Sequence, residues 1–263
     1  MKNIKEYTLV EQIWSKDNRV AVYEKDKIKY VLKKQKSLNT KEIRILKKLN
    51  HKRIVKLIDL VTDYPFKFLP FLEKKHYAVL EFIPGENLKD YRRKNKIDNI
   101  QFFTYSLALI DVLGYIHKNR LVYNDFKPTN IMVSSEQDIT VIDFETPIDI
   151  SIDKAVIIGS TPKWRCQEAI KGKNHTSNDV FGLGSVIYFM DKGISPYPII
   201  KGVNEDYTDF INNEKRILNQ GPIDKVSNNP KIAEIVDSML EPSYRNRPSL
   251  KEVEAVFRAQ APF

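Results

Sequence analysis

Apolar residues between Tyr7 and Lys34 come in short runs, T-L-V, V-A-V-Y and I-K-Y-V-L-K, cut by polar turns at 15–18 and 24–27. Such runs predict three antiparallel strands joined by hairpins. From Asn39 to Leu49 the spacing changes: Ile43, Leu46 and Leu49 recur at helical intervals, and Asn39 or Thr40 is placed to cap the first turn. H-Y-A-V-L-E-F-I, from His76 to Ile83, reads as a further strand, and P-G-E-N-L after it opens a helix. Helical periods then take over, with a long apolar helix from Asp98 to Lys118. A β-rich first third and a helical remainder predict an α+β chain with a boundary near residue 84, residues 1–83 and 84–263 being two parts of one domain.

Composition changes this picture in three places. With 263 residues, 42% hydrophobic and 29% charged, the chain reads as soluble and globular, large enough for two lobes. No apolar run approaches the roughly 20 residues that cross a bilayer, and the N-terminus has no signal-peptide pattern. Cys166 is the single cysteine, which excludes an internal disulfide framework and predicts a reducing, cytoplasmic setting.

The charge is uneven. Residues 1–83 hold 20 Lys and Arg against 10 Asp and Glu, whereas the remainder holds 23 against 24. That excess predicts either a solvated Lys-rich surface or an anionic partner such as nucleic acid. Between Asp63 and Lys75, Phe66, Phe68, Leu69, Phe71 and Leu72 crowd one loop. A loop so apolar needs a covering surface, by folding back or by dimerisation.

Candidate chemistry concentrates from Leu121 to Asn130, L-V-Y-N-D-F-K-P-T-N, and in T-V-I-D-F-E, which ends at Glu145. Asp125 and Asn130 stand five positions apart on a loop stiffened by Pro128, and Asp143 follows a β-type run. On residue types alone these are hard-oxygen groups and a candidate base, or an Asp and an Asn that cap a turn.

D-F-K-P-T-N resembles the D-L-K-P-E-N catalytic loop of protein kinases, and D-F-E their D-F-G. Y-V-L-K, ending at Lys33, is similar to the family's V-A-I-K strand, and L-N-H-K-R-I-V-K-L to its turn into the fourth strand. G-S-T-P-K-W-R-C-Q-E resembles G-T-P-x-Y-x-A-P-E, and D-V-F-G-L-G the D-V-W-S-L-G opening of the central helix. The likeness runs from the first strands to the last helix and is to Ser/Thr protein kinase domains of the bacterial, eukaryotic-like type.

The resemblance implies a bilobal kinase-like fold, with a small antiparallel β-rich N-lobe plus one helix and a larger, mainly helical C-lobe. It implies ATP and Mg²⁺ as cofactors and protein Ser/Thr as acceptor. Asp125 is then the catalytic base, Lys127 the cation for the transferring phosphoryl, Asn130 and Asp143 the metal ligands, and Thr161 a contact of the catalytic Asp and Lys. Lys33 would hold the phosphates with Glu42 as its ion-pair partner. Val20, Val31, Met132 and the backbone of Glu81 and Ile83 would serve the adenine, and Asn87 the ribose. Glu168 is expected to pair with Arg247, and Asp179 to brace the catalytic loop.

The pattern also departs from the family. I-W-S-K-D-N-R-V has no glycine where the family has up to three, so amides of 15–18 or the Lys16 side chain must serve the phosphates. Val31 replaces a small alanine above the adenine. Tyr123 and Asn124 replace His and Arg, which disfavours switching by phosphorylation and predicts a constitutive or partner-gated enzyme. Glu145 replaces the Gly of D-F-G, as in choline- and aminoglycoside-kinase-like enzymes, leaving a small-molecule phosphotransferase as the alternative. A pseudokinase that binds an anionic partner is the other. Cys166 reads as a small buried residue or as an oxidation target beside the peptide segment.

Overall fold

The computed structural model describes residues 2–13, 19–63, 74–134, 138–151, 164–170, 172–196, 226 and 229–263. Residues 14–18 of the glycine-free turn, residues 64–73 of the aromatic loop expected to fold back or to dimerise, and Thr161 lie outside these residues. The chain divides into two units, Met1–Pro84 with Ile142–Glu145, and Gly85–Val141 with Thr146–Phe263. The expected boundary near 84 therefore describes only the first crossing. The return of Ile142–Glu145 to the first unit has a long-range cause: carboxylates of Asp143 and Glu145 pair with Lys33.

The first unit is one six-stranded sheet with a helix. Its strands are β1 (Lys2–Asn3), β2 (Thr8–Ile13), β3 (Val20–Lys25), β4 (Ile28–Gln35), β5 (Leu57–Asp63) and β6 (Lys75–Glu81). The order is β1-β5-β6-β4-β3-β2, antiparallel except for the parallel β1/β5 pair. The β3–β4 connection is tighter than the pattern suggests, because Glu24 and Lys25 stay in the ladder opposite Lys29 and Ile28. Asp26 and Lys27 alone make the turn, at φ 53° and 64°, the twist of a two-residue hairpin turn but without its usual glycine. Alternation on the inner face buries Leu32, Val61 and Val79 with Tyr7, and Tyr23, Tyr30 and Tyr77 pack against them.

Helix α1 (Lys41–Lys48) begins where Thr40 accepts the Ile43 amide. It buries Ile43, Ile45 and Leu46, each worth about 1.5–3 kcal/mol. Leu49 was expected in that stripe; as the C-cap residue it is extended and only half-buried.

The second unit carries β7 (Gly85–Asn87), α2 (Leu88–Lys94), α3 (Asn99–Lys118), β8 (Leu121–Val122), β9 (Ile131–Ser134), β10 (Ile139–Val141), β11 (Ile148–Asp149), α4 (Gln167–Ile170), α5 (Thr176–Lys192), α6 (Pro230–Met239) and α7 (Leu250–Gln260). The P-G-E-N-L stretch is strand before it is helix: Gly85–Asn87 pairs with β9, and Asn87 caps α2. Helix α3 starts at a capping box between Asp98 and Gln101. It has the length and apolar content to cross a membrane, yet that composition is spent on core packing. Phe102 and Phe103 meet Phe257 of α7, and Leu109, Val112, Leu113 and Ile116 are fully buried.

Helix α5 is the centre of this unit, buried from Asn178 through Met190. Gly182 lets it approach the loop that follows β8: a Cβ there would lie 2.9 Å from Phe126 Cβ. Strands β8 and β9 flank that loop and fix its ends, β8 against β11 and β9 between β7 and β10.

Candidate active site

In the first unit, β4 delivers Lys33 and the first turn of α1 delivers Glu42. Lys33 Nζ lies 2.8 Å from Glu42 Oε1, 2.9 Å from Asp143 Oδ1 and 3.0 Å from Glu145 Oε1. Glu42 is buried and fully engaged, its second oxygen accepting from Gln35 at 2.8 Å, while Gln35 accepts from the Thr40 hydroxyl at 2.8 Å. The residue that caps α1 thus also steadies the ion pair. Burial works against the Lys33 ammonium, but the charges of Asp143, Glu42 and Glu145 outweigh it and hold its pKa above the ordinary lysine value.

Asp143 sits at φ 64°, a strained conformation for a non-glycine residue. Its Oδ1 accepts both Lys33 and, at 3.4 Å, the Glu145 amide. Arg19 stands 3.7 Å from Glu145. The sequence marks Glu145 as a departure at the glycine position shared with choline- and aminoglycoside-kinase-like enzymes, and gives no sign of its place in the Lys33 cluster.

Of the adenine-side set, Val20 and Val31 lie half-buried on β3 and β4, with Val20 opposite Lys33 in the ladder. Glu81 ends β6, its amide donating to the Lys56 carbonyl (3.0 Å) and its carboxylate accepting the Lys56 amide (2.7 Å). These bonds anchor the strand end before Ile83.

In the second unit, Met132 on β9 pairs in register with Asn87 of β7. Asn87 is committed as a helix cap, accepting the Asp90 amide (3.0 Å) and donating to its carboxylate (2.7 Å). Asp125 is buried on the loop after β8. Lys127 Nζ donates to its Oδ2 at 2.6 Å, and Asn130 Nδ2 donates to both its Oδ2 and its carbonyl at 3.0 Å. Pro128 opens the short 3₁₀ turn Pro128–Asn130 that makes this return possible. With its amide nitrogen spent on Asp125, Asn130 has its carbonyl oxygen to offer a cation.

Sequence reasoning missed Arg165. It is buried, and its Nη2 lies 3.2 Å from Asp125 Oδ1. A charged residue between Trp164 and Cys166 carries no local sign of where its guanidinium ends.

The loop is held from α5. Asp179, buried, accepts the amides of Tyr123 and Asn124 at 2.8 Å each and lies 2.9 Å from His117 Nε2. Asn124 is at φ 62°, which Asn tolerates better than most residues. Its amide donates to Asn174 Oδ1 (3.1 Å) and its carbonyl accepts from Asn178 (3.4 Å), so a neutral network fills the place of the family's arginine.

Further along, Glu168 and Arg247 pair at 3.0 Å, with the arginine side chain buried over the Phe181 ring. Burial alone would raise the Glu168 carboxyl; the adjacent guanidinium outweighs it and holds the pKa below the usual value. Cys166 is buried and its thiol is pushed up to about 12, chiefly by desolvation, which makes it an inert core residue.

Among the described residues no group of three or more His, Cys, Asp or Glu side chains is placed to hold a metal ion alone. A carboxylate and an amide oxygen do fit Mg²⁺, which keeps waters and substrate phosphates in its shell and takes few protein ligands.

These features coincide with a known family. The model of the protein kinase domain matches residues 6–256, and the chain belongs to that family. It is 28% identical to a probable serine/threonine-protein kinase CCRP1 of Zea mays, over 84% of this chain and 33% of the relative. It is 25% identical to the Aurora kinase of Schizosaccharomyces pombe, over 81% and 56%. It is 30% identical to the mouse (Mus musculus) cAMP-dependent protein kinase catalytic subunit PRKX, over 62% and 44%. The chain thus spans about a third to a little over half the length of these relatives.

Proposed function

We propose that the chain is a Ser/Thr protein kinase that moves the γ-phosphoryl of ATP to a protein hydroxyl. The observation that carries this reading is the triad Asp125, Lys127 and Asn130, held in hydrogen bonds on a loop braced by Asp179. In the step, the γ-phosphorus to bridging-oxygen bond breaks and ADP leaves, while the acceptor oxygen bonds to phosphorus and its proton passes to the Asp125 carboxylate. Lys127 meets the negative charge of the transferring group. Lys33, oriented by Glu42, is assigned to the α- and β-phosphates. Mg²⁺ supplies charge neutralisation when bound, and Asn130 and Asp143 are the oxygens assigned to it.

Ser/Thr acceptors are suggested by the name of the Zea mays relative and by Lys127. Membership of the bacterial-type branch, cytoplasmic placement and an anionic regulator at the basic unit are parts of the proposal that rest on sequence alone. Glu145 beside Lys33 keeps a small-molecule phosphotransferase as the second reading.

Transfer of labelled γ-phosphate from ATP with Mg²⁺ tests it, with Asp125→Ala alongside, a generic basic protein and a panel of small molecules as acceptors. Label on protein that vanishes in the variant is expected. Label confined to a small molecule favours the second reading, and none anywhere overturns both.

A further inference from the structure

Asp125 faces two cations where its task asks for one. Lys127 takes Oδ2 at 2.6 Å and Arg165 takes Oδ1 at 3.2 Å, both from within the second unit. Lys127 retains some exposure, whereas the Arg165 side chain is almost wholly buried. On the phosphotransfer reading, on which this inference rests, Lys127 must turn from Asp125 to the transferring phosphoryl. Were it the sole counter-ion, that move would leave a buried carboxylate uncompensated, a change of large cost.

We infer that Arg165 is the standing counter-ion of Asp125, a positioning residue that holds the carboxylate through Oδ1 so that Lys127 is free to leave Oδ2 for the phosphoryl. A guanidinium suits this role: it stays charged under all working conditions and its planar fork fixes a carboxylate's orientation. Asn130 keeps its bond to Oδ2 throughout, so the carboxylate does not rotate when Lys127 departs.

Two measurements test this, the first without nucleotide. Melting temperatures of Arg165→Met, Lys127→Met and the double variant form a cycle, repeated in an Asp125→Asn background. Either single change leaves one cation; both together leave Asp125 bare. The double variant is expected to lose at least about 5 °C beyond the sum of the singles, with the excess gone when residue 125 is neutral. Additive losses, or an excess that survives Asp125→Asn, overturn the proposal.

The second is steady-state transfer. Arg165→Met is expected to lower kcat about 100-fold, the scale of a misplaced catalytic group, with the KM for ATP within twofold and Arg165→Lys recovering part of the loss. Wild-type kcat in Arg165→Met overturns the proposal. Where the Met variant does not fold, Arg165→Lys carries the test, and a kcat equal to wild type overturns it. A wild-type chain that transfers no phosphate to any acceptor, yet shows the thermal excess, sinks the phosphotransfer reading and the catalytic half of this inference with it, while the counter-ion role stands.

Discussion

Glu168→Gln removes one charge from a pair whose other member has nowhere to go. The Arg247 side chain is fully buried and, among the described residues, pairs ionically with Glu168 alone: Nε donates to the Glu241 carbonyl (2.7 Å), Nη1 to the Ser177 carbonyl (3.2 Å) and Nη2 to the Pro242 carbonyl (2.9 Å). Breaking a buried pair costs about 3–5 kcal/mol because a bare charge remains. Here three carbonyls still solvate the guanidinium, and glutamine can still accept from the Tyr244 amide, which donates to Glu168 Oε1 at 3.1 Å. The loss should therefore fall near the bottom of that range or just under it, about 2–3 kcal/mol, or about 4–12 °C in Tm for a unit of this size. Urea unfolding followed by Trp fluorescence measures it. Trp164, packed edge-on to Phe189 in the same unit, is a reporter close to the pair. The pH dependence is the sharper check. Because the folded-state pKa of Glu168 is depressed, the pair's contribution is fully present above the ordinary carboxyl value of 4.5 and is lost as pH falls through the lower folded value. The gap between wild type and Glu168→Gln should hold from pH 7 to about 5 and shrink as pH falls below 4.5 towards the lower folded value. A gap under about 1 kcal/mol at pH 7, or one that does not shrink in acid, refutes the reasoning.

Asp179→Asn keeps shape but turns one acceptor into a donor that faces a backbone amide. A loss of about 2–4 kcal/mol and faster hydrogen exchange at Tyr123 and Asn124 are expected, and unchanged exchange counts against the bracing role. Lys27→Gly relieves a left-handed residue worth about 1–2 kcal/mol, less about 0.5–1 for glycine's extra freedom when unfolded; a gain between about 0 and 1.5 kcal/mol in urea melts is expected, and any loss contradicts it. Glu145→Gln frees Lys33 of one competing carboxylate. With EDTA present, ATP affinity by equilibrium dialysis should rise a few-fold, a modest gain because Glu145 is 39% exposed and screened, and a fall would show that Glu145 does not compete for Lys33.

The features legible in the sequence are those written in local spacing. The Thr40 cap, Glu42 in the first turn of α1, the strand that carries Lys33, though it runs two residues further to Gln35, and the Asp125-to-Asn130 turn all follow from neighbours a few positions apart. So did the long apolar helix, and the Phe102, Phe103 and Phe257 cluster shows part of the core that Asn99–Lys118 packs into. What stayed hidden is polar and long-range. Arg165 reaches Asp125 across 40 positions and Asn178 reaches Asn124 across 54, and no hydrophobic period marks a buried charge or amide. The β3–β4 turn is expected at 24–27, but its tightness to two residues was hidden for another reason. Asp26 and Lys27 adopt positive φ without the glycine that advertises it, because the flanking ladder over-determines their conformation.

Lys33 and Asp125 carry opposite imbalances, and burial decides which of their partners can be exchanged. Lys33 faces three carboxylates. Glu42 is nearly inaccessible and tied to Gln35, so parting it from Lys33 would leave a buried charge bare. Asp143 and Glu145 are 37% and 39% exposed, so water can take over their solvation at small cost. An anion that approaches Lys33 therefore displaces Asp143 and Glu145 before Glu42, and the lysine keeps its aim while its other counter-ions change. At Asp125 the same rule runs with the signs reversed: buried Arg165 is the partner that stays and part-exposed Lys127 the one that can go. A phosphate group brings negative charge, which suits a lysine with loosely held anions and a second lysine loosely held by one. On the proposed reading, each cluster keeps one buried ion pair for geometry and leaves its more accessible partners to exchange.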